Sequence, residues 1–225
     1  MKDIAVVAGK HNLAVANEPE SSVHDLQNLF IHPDWKHNDS RFDADIAFIV
    51  LATKVTLSEC ITPVCLPKQD DIVSSGTAVG WGRSEHSIAR GENMDMTPNV
   101  LQASITTQEN CFLSVPQLAF IASDRTFCAG FLNQSKSICP GDSGSGFYSF
   151  NQTTGLFSIE GIISSSLMNN QSCNTEIYSL FTDVKKFSTW IKHKERESSR
   201  NMLDFNGKFI ILNFSYFSSA ILAKI

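Results

Sequence analysis

Short apolar runs separated by turn residues recur along most of this 225-residue chain. Runs of this kind are typical of strands in an all-β sandwich or barrel. We therefore predict an all-β fold with strands over residues 4–8, 26–31, 46–51, 78–81, 101–106, 146–150, 156–164 and 178–184. Two segments, 108–113 and 185–195, are predicted to be helical, and the second carries an apolar stripe that can dock onto a sheet.

The composition is that of a globular protein without a basic surface for nucleic acid. Hydrophobic residues make up 42% of the chain, and the formal net charge is -5. No run of lysine and arginine could follow a phosphate backbone, so nucleic acid is not an expected partner. The length suffices for one large core or two packed barrels. A polar stretch over 67–76 predicts a linker between two groups of strands.

Six cysteines are spaced too irregularly for a zinc site, and we predict neither a metal nor an organic cofactor. A disulfide framework fits them better and implies an oxidising secretory route. Five Asn-x-Ser/Thr sequons fit the same route: Asn38, Asn133, Asn151, Asn170 and Asn213. We expect a secreted glycoprotein. Because no signal-like apolar stretch follows Met1, we also expect that the protein's own start lies upstream.

A glycine-rich segment and a distant aspartate are the candidates for chemistry. Residues 139–146 read Cys-Pro-Gly-Asp-Ser-Gly-Ser-Gly, and Asp45 opens the apolar run at 46–51. A serine hydroxyl becomes a good nucleophile only when a neighbouring base takes its proton, and a carboxylate holds that base in its tautomer and orientation. Ser143 and Asp45 are therefore candidates for two parts of a serine-hydrolase triad.

Further motifs follow one another along the chain. They are Ala8-Gly9-Lys10-His11, His32-Pro33-Asp34-Trp35, Asp45-Ile46-Ala47-Phe48, Pro63-Val64-Cys65-Leu66-Pro67, Val79-Gly80-Trp81-Gly82, Phe127-Cys128-Ala129-Gly130 and Phe181-Thr182-Asp183-Val184. In this order they resemble the chymotrypsin/trypsin-like serine proteases over roughly residues 4–195. The resemblance implies a double antiparallel β-barrel. Its parts are an incomplete first barrel over 1–70, a second barrel with the serine loop and a C-terminal helix over 71–195, and a tail over 196–225 outside the family fold.

The resemblance also implies catalytic roles. Ser143 corresponds to the nucleophile and Asp45 to the carboxylate that orients the base. The backbone N–H groups of Gly141 and Ser143 correspond to the oxyanion hole. Asp142 corresponds to the carboxylate that pairs with the amine freed on activation of the family's proteases.

The departures from the family pattern predict an N-terminally truncated protease domain that is inactive alone. The family's catalytic histidine and activation segment would both fall before Met1. His37, in the loop before Asp45, is the only candidate for a substitute base. Without the amine, Asp142 has to hold a buried charge or turn outward to water. The missing strands of the first barrel predict an open sheet edge and an exposed apolar face.

Five serines correspond to positions of the family's substrate site: Ser137, Ser164, Ser165, Ser166 and Ser179. Ser137 stands at the floor of the primary specificity pocket, where trypsin-like members carry an aspartate that pairs with substrate lysine or arginine. A serine supplies no such charge, while Ser166 and Ser179 narrow the cavity. The resemblance thus implies cleavage after small or medium apolar residues.

The resemblance implies two disulfides, Cys111–Cys128 and Cys139–Cys173. The second braces the substrate pocket. Cys65 corresponds to the cysteine that tethers the protease domain to its upstream pro-region. Cys60 is not a common family position, and it either bridges Cys65 or reaches an upstream segment.

An apolar stretch at 209–223 lies beyond the family resemblance. It is interrupted by Asn213 and several serines and is short for a bilayer span, so a membrane anchor is disfavoured. The alternatives are an added strand, a disordered end or translated non-coding sequence.

We therefore predict a serine-type endopeptidase domain that hydrolyses peptide bonds by acyl transfer in an extracellular process, resembling modular cascade proteases. Its expected partners are protein or peptide substrates and protease inhibitors. Two alternatives remain open. One is a non-catalytic homologue that binds a protease, an inhibitor or a pathogen surface, and the other is a fragment of an incomplete gene model without a stable fold of its own.

Overall fold

The computed structural model describes residues 4–36, 41–84, 87–88, 90–92, 94–130, 138–139, 141–165, 168–169, 172–173, 178–199 and 209–212. In chain order the strands are β1 (Ala5–Ala8), β2 (Ser22–Ile31), β3 (Ala47–Leu51), β4 (Ser75–Gly80), β5 (Asn99–Thr106), β6 (Thr126–Gly130), β7 (Gly146–Asn151), β8 (Leu156–Ser165), β9 (Met168–Asn169), β10 (Ser172–Cys173), β11 (Tyr178–Asp183) and β12 (Phe209–Leu212). Helix α1 is Gln108–Ser114 and helix α2 is Ser188–Ser199. The predicted all-β class with a C-terminal helix is confirmed.

Three strands from the first half of the chain and β12 from the tail form an open sheet with the strand order β1-β2-β3-β12. All of its pairs are antiparallel. Strand β3 is buried along its whole length because it is apolar throughout and has a neighbour on each side. Asp45 lies two residues before β3, so this buried strand helps to fix the position of the candidate catalytic carboxylate.

The second half forms a closed barrel with the strand order β11-β6-β5-β4-β7-β8. Closure is achieved by β11, which pairs with both β6 and β8. Aromatic rings fill the interior: Phe127 and Phe181 are stacked with their centroids 5.2 Å apart, and Phe147 packs against both. Gly161 makes room for these rings, since a Cβ there would lie 2.6 Å from Phe127 Cζ.

A single apolar cluster joins the open sheet, the barrel and the C-terminal helix. Its buried members are Ala44, Ile46, Phe48, Val50, Ile159, Ile162, Val184, Phe187 and Ile191. The predicted apolar stripe of the C-terminal helix lies here, with Phe187 and Ile191 buried and Trp190 at the edge. Burial of each large apolar side chain contributes roughly 1.5–3 kcal/mol, so this segment helps to hold the two halves together.

Helix α1 follows β5 and is held by a cap at its N-terminus and a disulfide at its middle. Thr107 caps it, with Oγ1 accepting a hydrogen bond from the Asn110 N–H at 3.2 Å. Cys111 on α1 forms a disulfide with Cys128 on β6, with the two Cα atoms 6.2 Å apart. This is the first of the two pairs that the family resemblance implies, and it holds the helix against the barrel wall.

The tail contributes β12, which pairs antiparallel with β3 from Phe209 opposite Val50 to Leu212 opposite Ala47. At these residues the tail is therefore an added strand, the first of the alternatives given for it, and it covers one edge of β3. Among the described residues, β1 and β12 form the outer edges of the sheet. None of the described helices has the length and apolar composition that a membrane span requires.

Candidate active site

Asp45 has no exposed surface and lies two residues before the start of β3. Its Oδ2 accepts a hydrogen bond from the Ser164 hydroxyl at 2.8 Å, and its carbonyl oxygen accepts one from Thr182 Oγ1 at 3.0 Å. The preceding residue, Ala44, has a φ of 54°, which is uncommon for a residue other than glycine. The Ile46 N–H donates to the Ala44 carbonyl oxygen at 2.8 Å and closes this tight turn. Backbone strain of this kind concentrates at functional sites.

The loop that carries Ser143, called the serine loop here (residues 141–145), turns at two glycines. Gly141 and Gly144 have φ values of 99° and 88°, which only glycine adopts without steric cost. The Ser145 N–H donates to the Asp142 carbonyl oxygen at 2.9 Å and closes the turn around Ser143. Within the described ranges, the N–H groups of Gly141 and Ser143 donate to no protein acceptor, so both remain available as donors.

The serine loop and Asp45 meet on strand β8. The Gly144 N–H donates to the Ile163 carbonyl oxygen at 2.9 Å, and the Ile163 N–H donates to the Ser145 carbonyl oxygen at 2.9 Å. The next residue of β8, Ser164, donates to the Asp45 carboxylate. Consecutive residues of one strand thus fix the carboxylate and the loop of the candidate nucleophile.

The Asp142 side chain is buried, with 4% of its residue surface exposed. Its Oδ1 accepts a hydrogen bond from the Gly82 N–H at 2.7 Å, and its Oδ2 accepts one from the Cys139 N–H at 3.0 Å. The sequence analysis expected this carboxylate either to be buried or to turn outward to water, and in the structure it is buried. Burial raises the pKa of Asp142 to about 6, although the two N–H donors oppose the rise. None of the described cationic side chains forms an ion pair with it.

Replacing Asp142 by asparagine should change how stability depends on pH. Because the pKa of Asp142 is raised in the folded state, the folded protein binds this proton more tightly than the unfolded chain. The stabilising contribution is complete below about pH 4 and is lost as pH rises through about 6. Relative to Asp142→Asn, we expect the wild-type free energy of unfolding to fall by about 3 kcal/mol between pH 3 and pH 7, measured by urea unfolding.

Asp43→Asn is the control for this experiment, because the pKa of Asp43 is shifted in the opposite direction. The Arg125 guanidinium donates hydrogen bonds to the Asp43 carboxylate, with Nε 2.9 Å from Oδ1, and lowers the pKa of Asp43. Its stabilising contribution is present above about pH 4 and is lost as pH falls. Identical pH profiles for the wild type and Asp142→Asn would contradict a raised pKa at Asp142.

Four histidines fall within the described residues: His11, His24, His32 and His193. The ring nitrogens of His24 hydrogen-bond the Ser22 and Thr53 hydroxyls at 2.8 and 2.9 Å. The His32 ring packs against two aromatic rings of the C-terminal segment, and burial lowers its pKa. His11 and His193 are exposed. His37, the only candidate for a substitute base, and His86 lie outside the described residues.

Three of the five predicted substrate-site serines are described. Ser164 is fully buried and donates to Asp45, so its hydroxyl supports the carboxylate. Ser165 is half-buried at the end of β8, and Ser179 is buried on the neighbouring β11. Ser137 and Ser166 lie outside the described residues.

The remaining cysteines differ in their state. Cys139, at the base of the serine loop, is disulfide-bonded, and the side chain of Cys173 lies outside the described part of the chain. Cys65 has a free thiol and is half-buried. Its N–H donates to the Phe157 carbonyl oxygen at 2.9 Å, which places it alongside β8. Cys60 is exposed.

Two glycines that the sequence analysis named only as part of a motif shape this site. A Cβ at Gly80 would lie 2.3 Å from Asp142 Oδ1, and one at Gly82 would lie 2.2 Å from Asp142 Cγ. The sequence could have indicated this contact through the glycines on both sides of Trp81, because a glycine in or beside a strand often marks the close approach of another group. Over the ranges described, no three histidine, cysteine, aspartate or glutamate side chains are grouped to hold a metal ion.

The closed barrel, the second sheet and the C-terminal helix define a chymotrypsin-like fold. The chain belongs to the trypsin family, whose model matches residues 1–191. The family match therefore ends before β12.

Curated relatives are longer proteins. Serine protease gd of Drosophila melanogaster is 28% identical, over 84% of this chain and 41% of the relative. Vitamin K-dependent protein C of Mus musculus is 26% identical, over 84% of this chain and 40% of the relative. Complement C1s subcomponent of Sus scrofa is 25% identical, over 90% of this chain and 30% of the relative. The chain thus spans less than half the length of each of these relatives.

Proposed function

We propose that this chain is the protease part of a serine endopeptidase, with Ser143 as the nucleophile. Asp45 orients a histidine base, and the N–H groups of Gly141 and Ser143 donate to the oxygen that gains charge in the transition state. The observation that supports this assignment is the buried hydrogen bond from Ser164 to Asp45 at 2.8 Å, beside the residue that holds the serine loop.

The proposed reaction has two acyl-transfer steps. Ser143 Oγ attacks the carbonyl carbon of the substrate peptide while the base takes the hydroxyl proton. The base then gives that proton to the departing amine, and an acyl-enzyme remains. Water, activated by the same base, releases the acid and restores the hydroxyl. Throughout, the loop N–H groups stabilise the oxyanion without reorganising.

We infer that the base lies outside the described residues. The ring nitrogens of His24 are engaged by two hydroxyls, and the His32 ring is packed against aromatic side chains. His37 is one candidate. A histidine elsewhere in a longer protein is the other, which is consistent with relatives more than twice as long as the matched region.

The 225-residue chain should therefore react slowly with a fluorophosphonate, which labels only an activated serine. We expect labelling of the Ser143 peptide at least about 1,000-fold slower than that of trypsin treated in parallel, because none of the described histidines is assigned as the base that activates the hydroxyl. Mass spectrometry of the digested protein measures the rate, with Ser143→Ala as the blank. Fast stoichiometric labelling would refute the prediction, and its loss in His37→Ala would assign the base to His37.

A second candidate function is that of a non-catalytic homologue that binds a partner protein. The observation that favours it is the inward Asp142, whose carboxylate is held by backbone N–H groups. By family resemblance, active members pair this carboxylate with an amine. If a longer form labels no faster than its Ser143→Ala variant, the binding role is supported and the endopeptidase assignment fails.

We further propose a secreted protein that acts on protein substrates in a proteolytic cascade and is open to protease inhibitors. The names of two relatives, a complement subcomponent and a vitamin K-dependent protein, support this setting. The disulfide between Cys111 and Cys128 fits an oxidising compartment. The half-buried free thiol of Cys65 is suited to a disulfide with an upstream segment.

An active form should cleave after small or medium apolar residues rather than after lysine or arginine. Ser137 offers no negative charge to a basic side chain, and a buried Ser179 narrows the pocket. Digestion of a peptide library, followed by sequencing of the products, measures the preference. Ser179→Gly should shift it toward larger residues by enlarging the cavity. Dominant cleavage after arginine or lysine would refute the proposed pocket.

A further inference from the structure

The hairpin between β7 and β8 carries a sequon, Asn151-Gln152-Thr153, within the described residues. Asn151 ends β7 and pairs with Leu156, the first residue of β8. The Gly155 N–H donates to the Asn151 carbonyl oxygen at 2.8 Å and closes the turn. Every residue from 151 to 157 is exposed, so the sequon stands at a solvent-facing hairpin tip.

The hydrogen bonds of the Asn151 side chain allow a sugar to be attached to Nδ2 without being broken. Its Oδ1 accepts hydrogen bonds from the Thr153 and Thr154 N–H groups at 2.9 and 3.1 Å. Its Nδ2 donates to none of the described residues. Attachment of a sugar removes one Nδ2 hydrogen and leaves the amide oxygen unchanged, so both hydrogen bonds persist.

The same tip exposes large apolar side chains. Leu156, directly across from Asn151 and therefore on the same face, is 53% exposed. Phe150 and Phe157 pair on the other face, with ring centroids 4.8 Å apart, and each is about half exposed. A group of exposed apolar side chains is an aggregation liability or is covered by a partner.

We propose that Asn151 is N-glycosylated and that the first sugar lies over Leu156. Nδ2 attacks C1 of the first sugar of a lipid diphosphate-linked oligosaccharide. The Nδ2–C1 bond forms, the C1–O bond breaks, the lipid diphosphate leaves and Nδ2 loses one proton. This inference rests on the proposed passage through the secretory route and is independent of catalysis.

The site is tested by expressing the full chain behind a secretion signal in mammalian cells. Enzymatic release of N-glycans in heavy-oxygen water, followed by peptide mass spectrometry, marks each occupied asparagine. We expect most molecules to be marked at Asn151 in the wild type and none in Thr153→Ala. This variant removes the sequon but keeps the backbone N–H of residue 153, which donates a hydrogen bond to Asn151 Oδ1. If other sequons are marked but Asn151 is not, the inference is overturned. If the exported chain carries no mark at any sequon, the inference is likewise overturned, whereas a chain that is not exported despite the signal counts against the proposed secretory passage.

The contact with Leu156 is tested by thermal unfolding. Glycan removal should lower the melting temperature of the wild-type chain by about 3 °C, because it re-exposes the leucine. In Leu156→Ser the same treatment should shift the melting temperature by less than about 1 °C. Equal shifts in the two proteins would overturn the proposed contact.

Discussion

Gly82→Ala should lower the free energy of unfolding by about 3 kcal/mol or more. An added Cβ would lie 2.2 Å from Asp142 Cγ and within 2.4 Å of both carboxylate oxygens. Asp142 has little room to yield, because it is buried and bonded to the N–H groups of Gly82 and Cys139. Any shift of Asp142 also displaces Ser143 beside it. Urea unfolding measures the loss.

Gly91→Ala is the matched control for this substitution. Gly91 has a φ of 71°, and an added Cβ there would meet no atom within 4 Å. The variant therefore tests backbone strain alone, which we expect to cost about 1 kcal/mol. Equal losses at Gly82 and Gly91 would show that the contact with Asp142 is harmless and that this account of the serine loop is wrong.

Asp45→Asn should reduce the rate of acyl transfer by about 10⁴-fold in any form of the protein that reacts with a fluorophosphonate. Without the negative charge, the base is neither held in the right tautomer nor stabilised when it takes the proton. The fold should persist, since an amide oxygen can still accept the Ser164 hydrogen bond. Comparison of kcat/KM for a peptide substrate measures the effect.

Asp43→Asn is the control for loss of a carboxylate near the same strand. Asp43 pairs with Arg125, so its loss should lower stability while leaving the rate within a few-fold of the wild type. If Asp45→Asn and Asp43→Asn slow the reaction equally, Asp45 has no special role.

The strands could be predicted where apolar runs are long enough to form a pattern. Strand β3 is apolar from end to end, and it is buried from end to end. Strands β9 and β10 have two residues each, which is too short for an alternating apolar and polar pattern to be recognised. The structure of segment 209–212 could not be predicted, because an apolar run does not show which strand it pairs with. It forms β12 by pairing with an edge of β3, and that edge exists only after β3 has folded.

The identities of the candidate site residues could be read from motifs, but their contacts could not. The Ser164 hydroxyl and the Asp45 carboxylate come together from positions 119 residues apart, and the Gly82 N–H and Asp142 from positions 60 apart. Hydrogen bonds over such separations leave no local pattern in a sequence. The inward orientation of Asp142 was for that reason one of two open expectations, and the backbone donors that hold it decided between them.

The pairing of β12 with β3 sets an order of events during synthesis. Val50 leaves the ribosome roughly 160 residues before its partner Phe209, so one edge of β3 stays unpaired while every other described element is made. The unpaired N–H and C=O groups of an open strand edge can form hydrogen bonds with another extended segment. The nascent chain, more than the finished molecule, is therefore the state in which this protein is most prone to mispair.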